Sequence, residues 1–288
     1  MRKQTKVWLS LAAVFLLALT LACKPDSGTP KAGDDTASAS KTYSGPTGMV
    51  TGVVSFNGAP PAPKKIDASA DPVCNQQNPN LVTEDTVVKD GKLANVFVYI
   101  KDGTATDDTK FADYTWSTPA TAVTLDQKGC HYVPHVMGVQ TNQKVSITNS
   151  DPTQHNVHPT PKVNPEWNQT QPNGAAPIEK TFARAEVLIP VKCNQHPWMK
   201  AYIGVLRHPF FAVSAEDGTY SLKGVPPGTY TVVAWKEGGA EGTQKTMSVT
   251  IPADGSASAD FTFGEGTAAG PNTLKVLPAI EFPMLRRN

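Results

Sequence analysis

The chain has 288 residues, length for about two domains, each able to bury a core. Its 26 basic and 25 acidic side chains nearly cancel, which excludes a broad basic surface for nucleic acid and a strongly charged surface that steers an ionic partner. Gly (22) and Pro (25) are abundant, and the apolar residues alternate in short runs with few 3.6-period faces, so the fold class is all-β.

In chain order, Arg2, Lys3 and Lys6 precede an apolar run from Val7 to Leu21, with small Ala22 just before Cys23. This is the pattern of a secretory signal, and the placing of Cys23 resembles a bacterial lipoprotein lipobox. The resemblance implies a lipid on Cys23 and a protein tethered to a membrane surface without spanning it, on the periplasm-facing side or at the cell surface. Residues 24–46 are rich in Ser, Thr, Ala, Gly, Asp and Lys and read as a flexible linker.

The folded part opens with Gly48–Phe56, an alternating strand closed by Asn57-Gly58, a strong turn dipeptide. Pro60, Pro61 and Pro63 then hold the path extended. Further strands are expected at Asn95–Ile100, Ala122–Leu125, Cys130–His135 and Gln143–Asn149, the last with Val145 and Ile147 inward. Residues 159–180 read as a long connection. Phe182–Val191 returns as a strand with Val187 and Ile189 on one face, and Tyr202–Leu206 closes the unit.

The chemistry gathers in Cys193-Asn194-Gln195-His196-Pro197-Trp198-Met199. Within seven residues the loop offers a thiolate, an imidazole and a thioether. A soft thiolate with two imidazoles and a weak axial Met is the ligand set of a blue-copper electron-transfer site. One imidazole is missing from the loop, and His155 in His155-Asn156-Val157-His158 is its natural supplier. His158, three positions along a strand, faces away. A buried Cys is ordinarily an inert small hydrophobe, but a His and a Met at these spacings argue against coincidence.

These two motifs resemble the ligand segments of amicyanin-type cupredoxins. Position by position, the resemblance implies one copper ion, cycling between Cu(I) and Cu(II), on His155, Cys193, His196 and Met199. It implies that Asn156 ties the ligand segments together. His196 would be the solvent-facing edge for electrons, with Pro197 and Trp198 on the docking surface of a redox protein partner. No open coordination position is implied, so the chain is expected to carry electrons and not to act as an enzyme. The alternatives are copper storage or delivery, and a non-redox scaffold whose Cys/His site holds zinc.

Of the four cysteines, Cys74 and Cys130 remain unassigned, and in an exported protein such a pair is expected to form a disulfide. A competing reading groups Cys130 with His131 and His135 in a second metal site, although strand alternation sets Cys130 and His131 on opposite faces.

Beyond Pro209 come a strand Phe210–Ser214, the turn Glu216-Asp217-Gly218-Thr219, Tyr220-Ser221-Leu222, the turn Val225-Pro226-Pro227-Gly228-Thr229, and Tyr230–Trp235. Asp-Gly-x-Tyr-x-Leu followed by Val-Pro-Pro-Gly-Thr-Tyr-x-Val resembles the carboxypeptidase regulatory-like domain, a small prealbumin-like β-sandwich without chemistry of its own. The expected organisation is a signal segment with a lipobox-like end (1–23), a linker (24–46), a cupredoxin-like copper-binding domain (47–208), the small β-sandwich (209–265) and a tail (266–288).

Overall fold

A computed structural model describes residues 41–101, 111, 114–239 and 242–264. The signal segment, Cys23, most of the linker and the tail lie outside the described residues. Among those described, no helix is long and apolar enough to cross a membrane. The described residues are almost entirely β: apart from a short parallel pairing of Lys41–Thr42 with Tyr114–Thr115, their strands form two packed β-sandwiches.

The first sandwich pairs a four-stranded sheet, in the order Ile178–Lys180, Val145–Asn149, Val123–Lys128, His131–Val133, with a five-stranded sheet, in the order Gln169–Gln171, His155–Pro159, Glu186–Lys192, Lys200–Leu206, Val136–Gln140. Its core holds Leu125, Tyr132, Val145, Ile147, Val157, Ile189, Val191 and Ile203. Val145–Asn149 is a central strand. It runs parallel to Val123–Lys128 and antiparallel to Ile178–Lys180, and so is paired on both edges. The stretch 159–180 is less irregular than its composition suggests, because it contributes two short edge strands.

Ile189 and Val191 point into the core as alternation requires, but Val187 is 36% exposed. The expected shared face of Val187 and Ile189 is therefore wrong. A register shift between Glu186 and Ile189 adds residues to one strand only, and such a bulge turns the side chains before it to the other side.

The second sandwich is not a separate C-terminal unit. Gly48–Asn57 pairs with Thr219–Val225, Ser256–Ser258 and Phe261–Gly264. Phe97–Ile100 lies between Phe211–Val213 and Gly228–Lys236. The strands thus do not divide at 208/209: residues 48–57 and 88–100 complete the sandwich of 211–264, and the first sandwich is inserted between them. The reason is the unpaired edges: the strands of 211–264 alone leave open edges, and the early strands cover them while burying Val50, Val54, Val96 and Val98 among Leu222, Tyr230, Val232 and Phe261.

The two sandwiches share a third apolar cluster of Phe97, Tyr99, Val136, Leu206, Val233 and Trp235. Each fully buried side chain of this size contributes about 1.5–3 kcal/mol. Glycine makes the close approach possible. A Cβ on Gly204 would lie 2.3 Å from the Phe97 ring, and one on Gly138 2.4 Å from the Phe211 ring.

Candidate metal centre

The ligand loop follows strand Glu186–Lys192 and leads into Lys200–Leu206. It is cinched by backbone bonds from Cys193 N–H to Met199 C=O at 3.3 Å and from Met199 N–H to His196 C=O at 2.9 Å. His155 begins the neighbouring strand His155–Pro159, which pairs with Glu186–Lys192 through His158 and Pro159. Two hydrogen-bonded strands thus set the imidazole of His155 beside the loop.

His155, Cys193, His196 and Met199 are all buried. One ligating atom from each of His155, Cys193 and His196 falls within 4.8 Å of the others. The two Nδ1 atoms stand 2.9 Å apart, and Cys193 Sγ is 3.6 Å from His196 Nδ1. Met199, fully buried, packs in the core cluster that also contains Cys193.

Both imidazoles are held from behind by carboxylates. His155 Nε2 donates to Asp151 Oδ2 at 2.8 Å, and His196 Nε2 donates to Asp71 Oδ2 at 2.9 Å. Asp151 is itself fixed by the N–H groups of Gly129 and Cys130. Asp71 caps the six-residue helix Pro72–Gln77, with Oδ1 accepting from Val73 and Cys74 N–H while Oδ2 also accepts from the Thr153 hydroxyl. A carboxylate on one ring nitrogen fixes the tautomer and orients the other nitrogen toward an ion. With both Nε2 atoms donating, the two Nδ1 atoms, hydrogen-bonded to one another across 2.9 Å, and the Cys193 sulfur meet in a buried pocket. The donor set fits a cation that takes nitrogen and sulfur, which would displace the proton held between them.

In the metal-free protein the electrostatics place a proton between His155 and the sulfur. Burial opposes ionisation of Cys193, but a hydrogen bond from His155 and backbone N–H groups of Asn156, His196 and Gln195 outweigh it and hold the thiol down at about 7. Burial disfavours the charged form of His155, yet the Asp151 hydrogen bond and the neighbouring sulfur raise it to about 9. The carboxyls of Asp151 and Asp71 sit below the ordinary range: burial works against this, and their hydrogen bonds prevail.

Asn156 spans the two ligand segments. Its Oδ1 accepts from Asn194 N–H at 2.6 Å and from Cys193 Sγ at 3.3 Å, and its Nδ2 donates to Asn168 Oδ1 at 2.6 Å. The Tyr132 hydroxyl donates to Asn156 C=O at 2.5 Å and to Lys192 C=O at 3.1 Å, behind both segments. His158 is turned away, between Asn194 Oδ1 and Glu166 Oε1. Pro197 is exposed and Trp198 partly buried, its indole N–H bonded to Cys130 C=O at 3.1 Å.

Cys74 and Cys130 form a disulfide. Two further groupings of donors, Asp71/Cys74/His196 and Cys130/Asp151/His155, each include a cysteine locked in this bond, so neither is a ligand set. The bond anchors the Asp71 helix beside His131–Val133 and so beside the ligand loop.

One expectation is overturned. His196 is only 4% exposed and is not a solvent-facing edge, because Asp71 and its disulfide-anchored helix cover Nε2. Sequence reasoning also missed Asp71 and Asp151. The Asp71-Pro72 pair signals a helix start, but nothing in the sequence carries its destination, 125 residues away at His196.

One protein-family model matches, that of polysaccharide lyase family 4, domain II, over residues 208–259. The carboxypeptidase regulatory-like assignment is thereby corrected. Asp-Gly and Pro-Pro-Gly turns report hairpin chemistry common to many small sandwiches, so they mark turns and not a family. No curated protein matches the chain. Solved structures similar to part of it include amicyanin from Paracoccus versutus, at 17% identity over 38% of this chain and 96% of that one, with a TM-score of 0.27. A purple cupredoxin from Nitrosopumilus maritimus matches at 18% identity over 30% and 98%, with a TM-score of 0.25. A Cu-containing nitrite reductase from Thermus scotoductus SA-01 matches at 21% over 30% of this chain, with a TM-score of 0.27, and the match spans 22% of the reductase. Similarities this slight leave the donor geometry as the ground for assigning the site.

Proposed function

We propose that this chain is a copper protein and one-electron carrier, with a single ion held by His155, Cys193 and His196 and by the thioether of Met199. The observation that carries the proposal is the pair of carboxylate-backed imidazoles, whose Nδ1 atoms lie 2.9 Å apart beside the buried Cys193 sulfur, 3.6 Å from His196 Nδ1. Bound there, copper supplies reversible uptake and release of one electron. The residues do the rest. Asp151 and Asp71 hold both rings in the ligating tautomer, Asn156 keeps the two strands in register, and the apolar wall limits rearrangement between oxidation states. With Met199 as a fourth ligand the coordination would be filled, and on that reading the chain acts as a carrier.

Because His196 is covered, electrons would enter beside it, through Trp198, whose ring lies 5.1 Å from the His196 ring, and past exposed Pro197. The partner is a redox protein docking on that face. The signal segment and Cys23 support an exported, lipid-anchored protein in the periplasm or at the cell surface.

A second reading, copper storage or delivery, is favoured by the same closure over His196. Spectroelectrochemistry of the copper-loaded protein separates the two. A carrier shows a single reversible one-electron wave at a fixed potential, with copper retained through repeated cycles. Loss of the ion on each reduction would establish storage or delivery instead.

A further inference from the structure

A second group of donors lines a cavity of about 390 Å³ where the two sandwiches meet the ligand loop. Two of the donors, His131 and His135, come from the hairpin around the strand His131–Val133 of the first sandwich. Glu84 comes from the chain after the bridge at Val82, and Glu237 follows strand Gly228–Lys236 of the second sandwich. The disulfide removes Cys130 from this neighbourhood's chemistry and leaves the two imidazoles.

His135 is the informative residue. It is 8% exposed, and its Nε2 lies 2.6 Å from Glu237 Oε2. Glu237 is steadied in turn by the Tyr202 hydroxyl at 2.8 Å and by Lys200 at 3.7 Å. This is again a carboxylate behind an imidazole, the arrangement that presents the opposite nitrogen as a ligand. That opposite nitrogen, Nδ1, is buried without a hydrogen bond and faces Glu84 Oε2 across 3.7 Å. His131 Nδ1 approaches the same oxygen at 3.2 Å. Ligands at about 2.0–2.1 Å around a tetrahedral ion stand about 3.3 Å from one another; the His131–Glu84 separation matches this, and the His135–Glu84 separation is wider and would have to close on an ion.

We infer that Glu84, His131 and His135 form a site for a borderline divalent cation of the Zn²⁺ type, oriented by Glu237 and open to the cavity on its fourth side. Two imidazoles and a carboxylate suit such first-row cations, whereas a thiolate-free set is poor for Cu(I). The three atoms do not yet converge as a bound ion would hold them, so loading draws in His131, the more exposed of the two rings. The ion joins the Glu84 segment to the His131–His135 hairpin, while Glu237 reaches His135 from the second sandwich. Cation loading therefore stiffens the junction between the sandwiches. Its proximity to Pro197 and Trp198, which also line the cavity, couples this junction to the face proposed for electron entry.

Cobalt(II) tests the inference because its colour reports its ligands. In the full chain carrying Cys193→Ser, one cobalt ion per chain is expected to survive dialysis, with ligand-field bands and no thiolate-to-cobalt band. In the wild-type chain the same ion is counted as a second equivalent, added without further thiolate absorption. His131→Ala and Glu84→Gln each weaken this site at least tenfold, and Glu237→Gln weakens it by about 10–100-fold, with near-ultraviolet circular dichroism checking the fold. Absence of a thiolate-independent cobalt ion in both chains would overturn the inference. So would an ion whose retention ignores His131→Ala and Glu84→Gln. Failure of the copper proposal is read separately, from a visible band that does not depend on Cys193.

Discussion

Replacing Asp71 by Asn separates the carboxylate's charge and acceptor geometry from its size. Asp71 Oδ1 caps two N–H groups of the helix Pro72–Gln77, while Oδ2 accepts hydrogen bonds from His196 Nε2–H at 2.9 Å and from the Thr153 hydroxyl at 3.1 Å. The amide can still cap the helix with its oxygen, and Asn is as good a cap as Asp. Its nitrogen, however, then faces the His196 Nε2 donor. The ring relieves this conflict by moving its proton to Nδ1, the nitrogen that should ligate. The folding cost is small, about 1 kcal/mol for a weakened charge-assisted hydrogen bond. The cost to ion binding is larger, about 10–100-fold in affinity, or about 1.4–2.7 kcal/mol. Asp71→Ala removes the cap as well and leaves a buried donor without a partner, adding about 1 kcal/mol for the cap and about 1–3 kcal/mol for the donor. Copper affinity is read by competition with a chromophoric Cu(I) chelator, and stability by urea titration of the same samples. An Asp71→Asn protein with unchanged copper affinity would refute the claim that Asp71 sets the tautomer of His196.

Three further outcomes follow from the fold. Gly204→Ala places a methyl group 2.3 Å from the Phe97 ring at the centre of the junction, so its urea midpoint should fall by the equivalent of about 1–3 kcal/mol; an unchanged midpoint would show that the two sandwiches are not packed there. Reducing the Cys74–Cys130 bond, which closes a loop with a separation of 56 residues, should cost up to about 4 kcal/mol on the chain-entropy estimate and loosen Asp71, weakening copper binding in parallel; stability and affinity measured with and without reductant check both. Glu186 is held below its ordinary pKa because hydrogen bonds from the side chain of Asn164 and the backbone of Lys162, Asn164 and Val163 outweigh burial. A depressed carboxyl stabilises the fold above its unfolded value and loses that contribution as pH falls through the folded value. Glu186→Gln should therefore be less stable near neutrality and converge with wild type below the ordinary Glu range; parallel curves down to acid pH would contradict this.

How much of this was legible in the sequence differs by feature. The candidate ligand loop stood out because Cys193, His196 and Met199 fall within seven residues and their types suggest one chemistry. His155 could be added because one donor type was missing. The orienting carboxylates could not, since Asp71 and Asp151 reach the site from a helix cap and a turn with no motif of their own. Strand positions were visible in alternation, but alternation does not name a partner. Nothing in Gly48–Asn57 says that it pairs with Thr219–Val225 across the inserted sandwich. Val187 misled for a local reason, the bulge before Ile189. The exposure expected of His196 failed because the covering helix comes from another part of the chain. The turns of the second sandwich were read correctly as turns and over-read as a family.

The central claim is that Cys193 and its two carboxylate-backed imidazoles hold copper, and the most direct measurement is the visible spectrum of the protein loaded with Cu(II), beside Cys193→Ser. An intense thiolate-to-copper band is expected in the wild-type protein, absent from Cys193→Ser and bleached reversibly by a reductant. A colourless wild-type protein, or a colour that survives loss of Cys193, would contradict it.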